Sequence, residues 1–173
     1  MSWQMYQKNK SLFYIFIKGF IFELTMTTIA HCLVRRAQLA DLENIYSLMT
    51  ELEGADLNFG DFKHCYLANL ENCHIIYLVA VDNNNHLLGF ISCHSQFLLH
   101  HAGKVFEIQE LIVTKEQRGK RVGRQLLSGL EKILKDEQYC SLEVTSNKKR
   151  KKAREFYLKN NFVLSHNKFT RPQ

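Results

Sequence analysis

The sequence predicts an α+β fold. Three observations carry that assignment: two early segments of helical periodicity, a pair of β-branched runs joined by Asp82-Asn83-Asn84-Asn85-His86, and then a strand, an amphipathic helix and a second strand in direct succession. A length of 173 residues suits one domain with a substantial core, and a hydrophobic content of 46% excludes general disorder.

Residues 1–25 read as an N-terminal extension, and the domain proper as residues 26–173. The apolar stretch over residues 12–24, LFYIFIKGFIFEL, is broken by Lys18 and Glu23 and is shorter than the ~20 residues that cross a bilayer. No convincing small-x-small cleavage site follows at Leu24-Thr25-Met26. The extension is expected to pack on the domain or on a second copy, which leaves a homodimer open; Met26 is an alternative biological start.

A short first strand is expected over residues 32–35. Leu42, Ile45, Tyr46, Met49 and Leu52 then recur at helical spacing, with Asp41 and Glu43 in the opening turn, where acids suit the helix dipole, and Gly54 at the end. A weaker helix over residues 59–70 carries Phe62, Tyr66 and Leu70. Glu53, Asp56, Asp61 and His64 are polar enough to line a substrate mouth, but a solvated helix connection is the preferred reading. Strands over residues 75–81 and 87–93 flank a turn whose Asn and Asp residues tolerate left-handed backbone, so they form an antiparallel hairpin. The stretch HSQFLLHH leads from residue 94 to a core strand over 105–113. The helix over 122–136 is expected to bury Val122, Leu126, Leu130, Ile133 and Leu134 and to pair Glu131 with Lys135. The strand over 141–145 then returns parallel to the core strand through a right-handed crossover. A last helix over 152–160 places Ala153, Phe156 and Tyr157 on one face, and residues 162–169 are expected to close the sheet.

Charge and cysteine usage narrow the partners. A net charge of +6 and a pI of about 9.1 favour anions: a phosphate-bearing coenzyme, an acidic small molecule or nucleic acid. The 5 cysteines are odd in number and include no C-x-x-C pair, so neither a disulfide framework nor a zinc site is indicated, and a reducing cytoplasm fits. Pro172 is the only proline, which leaves no proline-rich linker.

The stretch FEIQELIVTKEQRGKRVGRQLL, residues 106–127, runs from an apolar strand through a basic glycine-containing turn straight into a helix. That order builds an anion site, because the first N–H groups of a helix lack partners within it and point outward with the positive end of the dipole. Arg121 stands where a P-loop needs Ser or Thr, and two glycines in the C-terminal half do not make a dinucleotide fingerprint. The turn resembles the pyrophosphate loop of the GNAT superfamily of acetyl-CoA-dependent N-acetyltransferases, Gln/Arg-x-x-Gly-x-Gly/Ala, with Arg118 and Gly123 matching its ends. Arg121 replaces the middle Gly, which matters if that position needs positive φ and does not if it already lies in the first helical turn.

The resemblance implies a GNAT-type mixed, mostly antiparallel sheet of six to seven strands. It also implies acetyl-CoA as co-substrate, contacted by Leu111, Ile112, Val113, Arg118, Gly119, Lys120, Arg121, Val122, Gly123, Arg124, Asn147 and Arg150. Acetyl transfer needs a held thioester, a deprotonated amine, a polarised carbonyl and a proton for the departing thiolate. The end of the core strand can offer backbone N–H groups to the thioester carbonyl if its parallel neighbour splays away. Glu107 lies on that strand among apolar neighbours, where burial should raise it toward the range of a general base; a structural pairing with a nearby histidine is the competing reading. Glu110, three residues on, is expected on the opposite face of the sheet and so not to act with Glu107.

AREFYLKNNF, residues 153–162, is similar to the superfamily's A-x-x-x-Y-x-x-x-G-F segment, which puts Tyr157 at the general-acid position and Asn161 where Gly is usual. A closer resemblance covers residues 33–171: HSQFLLHHAGKVFEIQELIV, SNKKRKKAREFYLKNNF and SHNKFT resemble the aminoalkylphosphonate N-acetyltransferases of bacterial phosphonate metabolism. That resemblance implies transfer to the primary amine of a small aminophosphonate, with Glu107 as base and Tyr157 as acid. A doubly charged phosphonate wants imidazole or guanidinium donors, so His94, His100, His101 and His166, with Arg35, are the substrate-binding candidates. Histidines beside Glu107 could also hold a divalent ion, though no ligand spacing fixes one, and metal is left open. The five consecutive cations Lys148-Lys149-Arg150-Lys151-Lys152 are read as a solvated face bordering the coenzyme site, since no RNA- or DNA-binding motif accompanies them. A nucleic-acid module is thus the weaker alternative, and a GNAT enzyme for a protein, amino-sugar or antibiotic amine the nearer one.

Overall fold

Five strands in the order β1-β2-β3-β4-β5 form one sheet in the computed structural model, which describes residues 32–171. The expected N-terminal extension and the alternative start at Met26 lie outside the described residues. The strands are β1 (Leu33–Arg36), β2 (Ile75–Val81), β3 (Leu87–Leu98), β4 (Gly103–Val113) and β5 (Ser141–Val144). Neighbours from β1 to β4 pair antiparallel, and β4 pairs with β5 in parallel. The helices are α1 (Leu42–Glu53), α2 (Phe59–Leu70), α3 (Val122–Leu134) and α4 (Lys151–Lys159). None of them is long and apolar enough to cross a membrane.

The sheet is the middle of three layers. Leu42, Ile45, Leu48 and Met49 of α1 and Tyr66 of α2 pack on Val79, Val81, Phe90 and Ile112 on one face. On the other face α3 buries Val122, Leu126, Leu127, Leu130 and Leu134, and Gly129 lets it approach Val34 and Leu78 so closely that an added Cβ would lie 2.6 Å from Val34. Gly54 closes α1 in left-handed backbone at φ 70°, and Asn58 caps α2 by accepting from the Asp61 amide at 3.0 Å.

The described residues correct three expectations. β3 continues five residues past Cys93 because it pairs with β4 as far as Leu98↔Gly103, so the His-rich stretch begins as strand. Residues 162–169 do not close the sheet: Val163, Leu164 and Phe169 are exposed, and β5, only 4 residues long, pairs with β4 alone, giving five strands where six to seven were expected. Glu131 meets Arg124 at 3.5 Å in place of Lys135.

One ion pair locks the start of α1 to β1. Arg35 donates to both oxygens of Asp41, at 2.7 and 2.9 Å, and the Gln38 amide donates to the same carboxylate at 2.8 Å. Burial pushes the Asp41 carboxyl up, but these hydrogen bonds outweigh it and hold the group below the usual carboxylate range. A pKa depressed by folding contributes stability above the ordinary value of about 3.9, and that contribution is lost as pH falls through the lower folded value. Asp41→Asn should therefore cost about 1–2 kcal/mol at pH 7, because the half-buried Arg35 loses its charge partner but keeps the Arg36 carbonyl and Asn85 as acceptors. In urea melts its gap to wild type should narrow below about pH 4; a gap that widened there would contradict the assignment.

Candidate active site

β4 is paired along its whole length on one side and only partly on the other. β3 follows it from Leu98↔Gly103 to Gly89↔Val113, whereas β5 pairs only from Val105↔Ser141 to Ile108↔Val144. Beyond Ile108 the second edge of β4 has no strand partner among the described residues. Leu111, Ile112 and Val113 continue β4 past the end of β5, and because the Thr114 amide donates to the Leu88 carbonyl at 3.0 Å, alternation turns the amides of Leu111 and Val113 toward this open edge and that of Ile112 toward β3.

A bulge reorganises the acidic residues of the strand. Cys93 faces Ile108 and Ser92 faces Glu110, which makes Gln109 an extra residue on β4. Glu107 and Glu110 therefore stand opposite His94 and Ser92, two apart on β3 and on one face. The expectation that they face opposite sides of the sheet is overturned. Glu143 is in register with Glu107 on β5, so this face carries three carboxylates and is locally acidic in a basic chain.

Each carboxylate has a partner. Thr145 donates to Glu107 Oε1 at 3.0 Å, so Glu107 is hydrogen-bonded to a threonine and not, as the competing reading had it, to a histidine. Ser92 donates to Glu110 Oε2, and Ser141 donates to Glu143 at 2.7 Å. Tyr77, in register with Ser92, accepts from Asn69 at 2.6 Å; burial pushes its phenol up, and the charge of Glu110 adds to the shift.

The four candidate histidines lie in three places. His94 faces Glu107, and its Nε2 is buried without a hydrogen-bond partner among the described residues. His100 and His101 form a short 3-10 turn with ring centres 4.4 Å apart, and His101 Nε2 lies 3.7 Å from Glu143. His166 is exposed beyond α4 and bonds its neighbour Ser165 at 2.8 Å. Arg35 is committed to Asp41 and thus to the fold. No group of three or more His, Cys, Asp or Glu residues suited to a metal ion occurs among the described residues.

The basic turn leads out of the open edge. Gly119 has φ 79° and Arg121 has φ 66°, so the position where the superfamily's loop carries its middle Gly does adopt left-handed backbone, and it caps α3 from outside the helical turn. The first helical bond of α3 runs from the Gln125 amide to the Arg121 carbonyl at 3.0 Å, which leaves the amides of Val122, Gly123 and Arg124 without backbone partners among the described residues. Four cations are held around them. Arg118 donates to the Val113 carbonyl at 3.1 Å and to Glu51 at 2.5 Å, and Arg124 donates to Asn160 at 2.8 Å. Arg150 donates to the Leu52 carbonyl at 2.7 Å, and Lys115 lies 4.0 Å from Glu51. Asn147 turns the chain before α4 by accepting from the Lys149 amide at 2.9 Å.

Tyr157 lies against Phe156 and Phe162 at ring distances of 5.3 and 5.4 Å, and its hydroxyl makes no hydrogen bond among the described residues. Burial pushes the phenol up to about 12, with Arg150 opposing the shift, so the proton stays on at neutral pH. Asn161 takes φ 65°, which keeps the left-handed turn that Gly would supply. Sequence reasoning missed Thr145, Ser92 and Glu51. Thr145 was reachable, being two residues past Glu143 and hence on the same face as Glu107; the others depend on the bulge and on how α1 packs.

An open strand edge running into unpartnered helix amides is the arrangement of a protein that binds a phosphate-bearing carrier. Residues 39–162 match the Acetyltransferase (GNAT) family, and the chain belongs to it. It is an N-acetyltransferase of a family that uses acetyl-CoA. It is 36% identical over 140 residues to the aminoalkylphosphonate N-acetyltransferase of Salmonella typhimurium, a match covering 81% of this chain and 90% of that protein. Among solved structures, a transcriptional regulator from Bacillus halodurans is similar with a TM-score of 0.75 at 17% identity, over 83% of this chain and 100% of that one. A putative acetyltransferase from Agrobacterium tumefaciens is similar with a TM-score of 0.72 at 17% identity, over 82% and 99%. These two likenesses show the fold.

The left-handed residue gives a direct test. Arg121→Gly should leave stability unchanged or raise it by up to about 1 kcal/mol, because the Cβ penalty of left-handed backbone disappears. Arg121→Val should lose ~1–2 kcal/mol in denaturant melts. Equal loss in both variants would show that the side chain, and not the backbone, matters there.

Proposed function

We propose that the protein acetylates the primary amine of an aminoalkylphosphonate by direct attack on acetyl-CoA in a ternary complex. The carrying observation is the end of the β4–β5 ladder at Ile108↔Val144: it sets an open edge for the thioester between the Glu107 row and the amides that would receive the diphosphate. Glu107, oriented by Thr145, takes the proton as the amine nitrogen bonds to the thioester carbon. The strand-edge amides of Leu111 and Val113 stabilise the carbonyl oxygen as charge develops on it. The carbon–sulfur bond then breaks, and Tyr157 hands its proton to the departing thiolate.

The amine end of the acceptor fits the polarity of this face. Its ammonium end belongs beside Glu107, Glu110 and Glu143, and its phosphonate beside the imidazoles of His94 and His101, with His100 and His166 farther candidates. The relative in Salmonella supports that substrate class. The three carboxylates by themselves favour any small cationic amine, so the phosphonate is what the assay must establish.

The experiment is thiol release from acetyl-CoA across a panel of amines that includes aminophosphonates and their carboxylate and uncharged analogues. An aminophosphonate should be the preferred acceptor; preference for the uncharged amine would contradict the substrate assignment. Glu107→Gln and Tyr157→Phe should each lower kcat by ~10²–10⁴-fold while coenzyme affinity stays within a few-fold of wild type. Full turnover in either variant would remove that residue from the mechanism. Because the phenol titrates at about 12, kcat should show no loss from Tyr157 ionisation between pH 7 and 9.

A further inference from the structure

The last turn of α1 touches both loops that flank the open edge of β4. Glu51 accepts from Arg118 Nη2 at 2.5 Å and lies 4.0 Å from Lys115, both residues of the loop that leads into α3. One residue on, the Leu52 carbonyl accepts from Arg150 at 2.7 Å, an arginine of the loop between β5 and α4. The Arg118 guanidinium is placed independently of Glu51, because its Nε also donates to the Val113 carbonyl at 3.1 Å. Glu51 therefore adds little to Arg118's position. What it does add is a negative charge at the rim of a site whose unpartnered amides select negative charge.

We propose that Glu51 sets the affinity for the coenzyme, acting as a counter-anion beside Arg118 and Lys115 that weakens diphosphate binding. This rests on the reading that the coenzyme diphosphate binds the amides of residues 121–124. The fold does not need the ion pair: Arg118 and Glu51 are both accessible to solvent, and pairs of that kind contribute little to stability. A bound diphosphate has to share Arg118 with a carboxylate and approach that carboxylate's charge. The effect is to loosen product coenzyme as much as substrate coenzyme, which favours release after transfer.

The test is calorimetric titration of the full chain with coenzyme A, comparing wild type, Glu51→Gln and Glu51→Asp. Gln keeps the side-chain length and an acceptor for Arg118 and removes only the charge. Glu51→Gln should bind roughly 3- to 10-fold tighter at low ionic strength. The difference should vanish near 1 M salt, where the Debye length is ~3 Å. Glu51→Asp should stay close to wild type, and acetyl-pantetheine, which lacks the diphosphate, should bind all three alike. Equal or weaker coenzyme binding in Glu51→Gln overturns the inference. Failure of wild type to bind coenzyme A at all overturns the reading beneath it as well.

Discussion

The site depends on where one ladder of hydrogen bonds stops. Parallel pairing between β4 and β5 ends at Ile108↔Val144, while β3 stays paired with β4, through the bulge at Gln109, as far as Val113. A strand supported on one side and open on the other offers backbone donors and acceptors at fixed positions without the cost of ordering a loop. The groups of the proposed mechanism are placed relative to that stop. Glu107 lies one row before it, Leu111 to Val113 lie beyond it, and the turn into α3 takes up the chain where the strand ends.

The bulge at Gln109 is the second constraint. One extra residue on β4 changes which side chains share a face, and brings Glu110 to the side occupied by Glu107 and Glu143. A protein of net charge +6 thereby carries an acidic sheet face next to a basic turn. The proposed reaction uses that separation, because the amine of the acceptor and the diphosphate of the coenzyme are drawn to opposite ends of the open edge. Net charge alone could not have shown it, since it averages over both surfaces.

Most of the fold was legible because its signals are local. Helical spacing in α1 and α3, the Asn-rich hairpin turn and the strand–helix–strand order each follow from residues within one element or its neighbour. Asn85 in the hairpin and Asn161 after α4 take the left-handed backbone that their residue type allows. Arg121 takes the same conformation with no such signal in its own chemistry, and only the resemblance to a glycine at that position hinted at it. The misreadings were non-local. Whether residues 162–169 join a sheet depends on whether β5 has an edge to offer them, and whether Glu107 and Glu110 share a face depends on a bulge against a strand that ends 12 residues upstream of Glu110. The histidines were read as one set by composition, yet geometry separates His94 and His101, which meet the acidic row, from His166.

The central claim is that main-chain donors at the start of α3, beside the open edge of β4, receive the diphosphate of acetyl-CoA. It is tested most directly by titrating coenzyme A into isotopically labelled protein and following every backbone amide by NMR. The account predicts that the largest shifts fall on Gly119, Arg121, Val122, Gly123 and Arg124, followed by Leu111 to Val113. Saturable binding that leaves those amides unmoved, with the shifts concentrated on β1 and β2, would contradict it.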